Sequence, residues 1–135
     1  IRPVHLPPRE DMNEPDLRAT LAGENSNVKT KSKAAIMLTY LHRHEVPIPI
    51  TCLHINDDVG IVHLPGETFM EYQIHAQESR PDSFIAVAGY GDLGTGYITM
   101  ESSFEEGGYE PKDAFVSGKS EAIMRDAISR VTRPR

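Results

Sequence analysis

"ITCLHINDDVGIVHLPGETFMEYQIHAQESRPDSFIAVAG", residues 50–89, decides the fold. It opens with a β-rich, alternating run to Ile55, turns on Asn56, Asp57 and Asp58, and returns through "VGIVHL". Alternation interrupted by turn-forming residues predicts a β-hairpin. Pro65 and Gly66 then break the strand. Phe69, Met70, Gln73, Ile74 and Ala76 recur at helical spacing up to a stop at Pro81, so a helix is expected there with that face inward. "SFIAVAG" is a short continuous apolar run, the pattern of a strand buried on both faces. Strand, helix and strand in that order predict a parallel pair joined by a right-handed crossover.

The flanks extend this plan. "IRPVHLPPREDMNEP" holds four of the ten prolines and has no periodicity, so residues 1–15 read as an extended arm lying on another surface. Asn13 suits an N-cap, Pro15 the first turn and Gly23 the end of a short helix containing Leu17 and Leu21. From about Thr30 to Glu45, Ala34, Met37, Leu38 and Leu41 form an amphipathic stripe, which "VPIPI" ends. Beyond the apolar run, "GYITM" is expected to be extended and "ESSFEEGGYEPKDAF" to be a long ordered loop. Residues 120–131 read as a closing helix with Ile123, Met124, Ala127, Ile128 and Val131 inward. Together these predict an α/β or α+β fold: a small mixed β-sheet with packed helices, a β-hairpin followed by a β-α-β crossover, in one domain or part of one.

Composition narrows the function. The 135 residues carry 20 acidic and 14 basic side chains, a formal charge of −6, which disfavours a nucleic-acid partner. No apolar run approaches the roughly 20 residues of a membrane span. The single cysteine, Cys52, rules out an internal disulfide and a paired-cysteine zinc ribbon. The chain starts at Ile1 with no signal-peptide pattern, so a fragment or processed product is expected.

Gly89, Gly91 and Gly94 fall in the order G-x-G-x-x-G. A dinucleotide loop needs those glycines to end a strand and open a helix whose amides face a pyrophosphate. Thr95, Gly96, Tyr97, Ile98 and Thr99 begin no helix, and no phosphate-loop lysine is present. Spacing therefore favours tight turns over a nucleotide cradle.

The run from "HLPGETFMEYQIHAQ" to "RPDSFIAVAGYGDLGTGYITMESSFEEGGYEP" resembles the later part of the catalytic domain of the neutral ceramidase family, above all its bacterial neutral/alkaline ceramidase-like members. Two motifs carry the resemblance. "LPGE" at Leu64 to Glu67 matches the family's P-G-E before a helix, and "GYIT" at Gly96 to Thr99, with "SFEEGGYEP" after it, is similar to the family's Y-[IV]-T-T and following acidic-tyrosine series. The likeness covers residues 50–118. It departs from the better-known members at "GETFMEYQ", where G-E-F-T-T is usual, and at Met100, where a second threonine is usual.

The resemblance implies a catalytic zinc ion held by two histidines upstream of Ile1, by Glu67 and by Tyr97, with Gly66, Thr99 and Tyr109 shaping the site. It implies hydrolysis of an N-acylsphingosine-type lipid amide by the complete domain, and a secreted, periplasmic or surface location. The remainder of that domain is then this chain's partner, and the chain alone is expected to be inactive. The residue chemistry agrees: an anionic carboxylate beside a helix N-terminus is favoured by the free amides, and a metal is the partner that lowers a tyrosine's pKa. Glu67 and Tyr97 have plainer readings too, as a helix-dipole residue and a half-buried sheet tyrosine in a non-catalytic binding or interaction module. Of the six histidines, His42 and His44 fall on different helix faces, while His54 and His63 lie on opposite hairpin arms, within reach of each other if the register allows. None forms a recognised ligand pair, and no Ser-His-Asp or Cys-His arrangement is readable.

Overall fold

A four-stranded mixed sheet carries the molecule in the computed structural model, which describes residues 1–91 and 94–133. Its strands are β1 (Arg2–Val4), β2 (Ile48–His54), β3 (Val59–Pro65) and, counting past a short strand given below, β5 (Phe84–Gly91), in spatial order β1-β2-β3-β5. β1 and β2 pair antiparallel, as do β2 and β3, whereas β3 and β5 run parallel. The hairpin turns where expected: Asn56 Oδ1 accepts from the Asp58 amide at 2.9 Å. The helix α3 (Met70–Glu78) connects the parallel pair. The fold is thus mixed α/β.

Helices α1 (Glu14–Ala22) and α2 (Val28–Arg43) precede β2. Asn13 caps α1 through the Asp16 amide and Asn27 caps α2 through the Thr30 amide, each at 2.9 Å. The closing helix α6 (Ser120–Val131) buries Met124, Ala127, Ile128 and Val131 against the inner face of the sheet, where Ile48, Ile50, Val62, Leu64 and Ile85 are buried. Its C-terminal carbonyls are held by a strand residue and by the turn that follows α3. His54 Nε2 lies 3.0 Å from the Val131 carbonyl oxygen, and Arg80 donates to the Thr132 carbonyl at 2.9 Å.

The surface under the proline-rich arm belongs to this same chain: β1 joins the sheet, Leu6 and Met12 are buried, and Arg9 donates to the carbonyls of Pro111 and Lys112 at 2.8 and 2.9 Å. Three expectations change. Helix α3 turns Tyr72 and Ala76 inward rather than Met70 and Ile74, which are exposed. The Tyr72 hydroxyl reaches the Thr99 carbonyl at 2.9 Å, so its ring is buried without stranding a polar group. The run at Phe84–Gly91 is an edge strand, and of its two faces only the inner one, at Ile85, is fully buried. Finally, the expected loop after Met100 contains two short helices, α4 (Ser103–Glu106) and α5 (Glu110–Asp113).

Candidate functional site

Two very short strands build the site. β4 (Glu67–Thr68) and β6 (Tyr97–Ile98) form a separate parallel pair in which Glu67 is the register partner of Tyr97, and Thr68 of Ile98. Thirty residues of chain separate these two side chains, and the backbone sets them side by side. Gly66 and Gly96 make this approach possible. Both adopt left-handed backbone, φ 59° and 61°, and the Glu67 amide donates to the Gly96 carbonyl at 3.0 Å. Gly66 is the more constrained, because a Cβ there would stand 2.0 Å from Thr95 Oγ1 and 2.5 Å from the Gly96 carbonyl oxygen.

Glu67 is not in the first turn of a helix. It lies two residues before Phe69, the cap of α3, so the helix dipole is not the principal partner of its carboxylate. Its partner is the hydroxyl of Tyr90, which donates to Oε1 at 3.1 Å. The Tyr97 hydroxyl lies 2.7 Å from that of Tyr109, and the two rings meet edge to face with centroids 5.5 Å apart. One carboxylate and three phenol hydroxyls therefore gather at one edge of the molecule. Thr99 is different: its hydroxyl is buried with no hydrogen-bond partner among the described residues, and its carbonyl serves Tyr72. It supports the strand from behind.

The hydrogen bonds set the protonation of the tyrosines. Tyr97 holds its proton well above the ordinary phenol range, first because of the bond with Tyr109, then through desolvation and the nearby Glu67 charge. The Tyr90 proton is held in the same direction by its bond to Glu67. In the absence of a cation, both phenols keep their protons at physiological pH.

On donor chemistry, Glu67 and Tyr97 fit half of a zinc shell: two oxygen donors on adjacent strands, one of them a carboxylate. Among the described residues no three His, Cys, Asp or Glu side chains gather as a metal site. Three of the histidines, His44, His54 and His75, serve the fold. His54 and His63 do not meet, since His54 pairs with Gly60 and His63 with Thr51, which also places them on opposite faces of the hairpin. His75 Nε2 lies 3.0 Å from the Arg125 carbonyl oxygen and 2.9 Å from Ser129 Oγ, and His44 Nδ1 2.7 Å from the Leu41 carbonyl oxygen.

In the glycine series, Gly89 and Gly91 end a strand, and β6 rather than a helix begins at Tyr97, which is not the setting of a nucleotide loop. Asp92 and Leu93 of that spacing lie outside the described residues. A surface cleft of about 520 Å³, bounded by Arg9, Phe104, Pro111 and Lys119 among others, is lined by neither Glu67 nor Tyr97. Tyr90 is the residue that sequence reasoning missed. Its signal was slight: one aromatic between two glycines, in a run read only for its turns. In comparisons with family models, with curated proteins and with solved structures, the chain has no match.

Proposed function

We propose that this chain is the later part of the catalytic domain of a zinc-dependent amide hydrolase resembling the neutral ceramidases. The observation that carries the reading is the register pairing of Glu67 with Tyr97, which brings together the two residues that the resemblance names as ligands. In the complete domain, zinc would supply a Lewis acid toward water and the carbonyl of an N-acylsphingosine-type amide, giving a fatty acid and an amine. Glu67 contributes the anionic oxygen. Tyr97 contributes a phenol oxygen, and Tyr109, whose hydroxyl lies 2.7 Å from it, shapes the site. Gly66 and Gly96 let the two strands approach, the Glu67 amide donating to the Gly96 carbonyl at 3.0 Å.

In this reading the remaining ligands belong to the part of the domain upstream, and the 135 residues alone are inactive. Zinc content of the complete protein, purified from its source, tests it. Glu67→Ala is expected to abolish zinc retention, and unchanged metal content would remove the assignment. A second reading is a non-catalytic binding module on the same scaffold, favoured by the partners that Glu67 and Tyr97 already have within the chain, the hydroxyls of Tyr90 and Tyr109. That reading requires a melting temperature indifferent to zinc.

A further inference from the structure

Tyr90 is the one non-glycine residue with left-handed backbone among the described residues, at φ 61°. That conformation costs a residue with a Cβ on the order of 1–2 kcal/mol, and a glycine would adopt it without the cost. Glycines stand on both sides, at 89 and 91. The turn itself is well fixed by the main chain: the Tyr90 amide donates to the Gly66 carbonyl at 2.7 Å, and the Gly66 amide to the Gly91 carbonyl at 2.6 Å. None of these bonds needs a side chain at position 90. Nor does packing explain the ring, which is 67% exposed. What distinguishes this side chain is its hydroxyl, which reaches Glu67 Oε1 at 3.1 Å. Strain kept at one residue, with a polar contact to a candidate ligand as its visible return, points to a task at that ligand.

We propose that Tyr90 is a positioning residue for Glu67: the backbone clasp at Gly66 aims the phenol, and its hydroxyl fixes one carboxylate oxygen so that the other is presented to the metal beside Tyr97. The inference rests on the reading of Glu67 as a zinc ligand. The physical reason is the freedom of a half-exposed glutamate on a two-residue strand. Left alone it samples several rotamers, and binding a metal must then fix them. A donor already bonded to the carboxylate removes that cost in advance and sets the orientation of the ligand oxygen.

The test uses the complete protein with Tyr90→Phe, Tyr90→Gly and Glu67→Gln, measuring zinc affinity by chelator competition, the visible spectrum of the cobalt(II)-loaded form, and the melting temperature of the metal-free form. Removal of the hydroxyl by Tyr90→Phe is expected to weaken zinc by about 10- to 100-fold, the range for lost outer-shell partners, and to shift the cobalt bands. Tyr90→Gly should weaken zinc equally while leaving the metal-free melting temperature unchanged or higher, because it relieves the left-handed strain. Loss of zinc in Glu67→Gln with unchanged zinc affinity and cobalt spectrum in both Tyr90 variants would overturn the positioning role and leave the ligand reading standing. Zinc weakened only in Tyr90→Gly, with a lowered melting temperature, would also overturn it by making Tyr90 structural. Zinc retained in Glu67→Gln would overturn both.

Discussion

A Cβ at position 66 has no room. It would meet Thr95 Oγ1 at 2.0 Å and the Gly96 carbonyl oxygen at 2.5 Å, and Thr95 is fully buried, so its side chain has little space to swing aside. The Gly96 carbonyl is also the acceptor for the Glu67 amide, which means that relief by backbone movement would pull β4 from β6. Gly66→Ala is therefore expected to cost about 2–4 kcal/mol, combining left-handed strain with overpacking. Urea unfolding of Gly66→Ala checks this, and a loss no larger than left-handed strain alone, about 1–2 kcal/mol, would show that the contact with Thr95 and Gly96 carries no cost.

Helix α2 is joined to the N-terminal arm by one buried side chain. Tyr40 is 2% exposed, donates to the Leu6 carbonyl at 2.7 Å and lies against the ring of Phe115, at 6.0 Å between centroids. Burial disfavours its phenolate and pushes the Tyr40 pKa from 10.0 to about 12. Tyr72 of α3 shifts in the same direction, first through burial and then through the charge of Glu121. The folded state thus keeps protons that the unfolded chain loses, so this contribution is complete below pH 10 and is lost as pH rises toward 12. The urea midpoint should fall across that window. Tyr40→Phe should make the fall shallower and cost about 1 kcal/mol at neutral pH through the lost hydrogen bond, whereas a pH profile parallel to that of the parent would refute the assignment. The elements themselves were largely legible in the sequence, because a cap such as Asn13, a turn such as residues 56–58 and a 3.6-residue stripe are local signals. The inward face of α3 was not, since its anchor Tyr72 depends on a carbonyl 27 residues away. The same holds at the site. Strands of two residues carry no periodicity, so the meeting of Glu67 and Tyr97 was reached through the family resemblance, and Tyr90, whose partner lies 23 residues back, gave no local sign.

The layers of the molecule are unequal. Helices α3 and α6 pack on one face of the sheet, while the other face carries Leu53, Ile61 and Phe84 at 65%, 36% and 69% exposure. Register places Leu53, Ile61 and Ala86 in one row and Val59 beside Phe84 in the next, so these side chains form a continuous apolar strip rather than scattered points. An antiparallel or mixed sheet can leave one face to water, but that face is then ordinarily polar, and a contiguous apolar strip on it is the departure. The chain's charge of −6 opposes self-association, but it does not hydrate the strip. The folded 135-residue polypeptide is therefore expected to bind an apolar fluorescent dye, and Leu53→Lys combined with Phe84→Lys to remove most of that binding. Because both side chains already stand mainly in water, the double variant should change stability by no more than about 0.5 kcal/mol per site. Dye binding unaffected by the two lysines would place the exposed apolar surface elsewhere; dye binding lost together with a much lower melting temperature would show that Leu53 and Phe84 are packed in solution, and that the strip is covered.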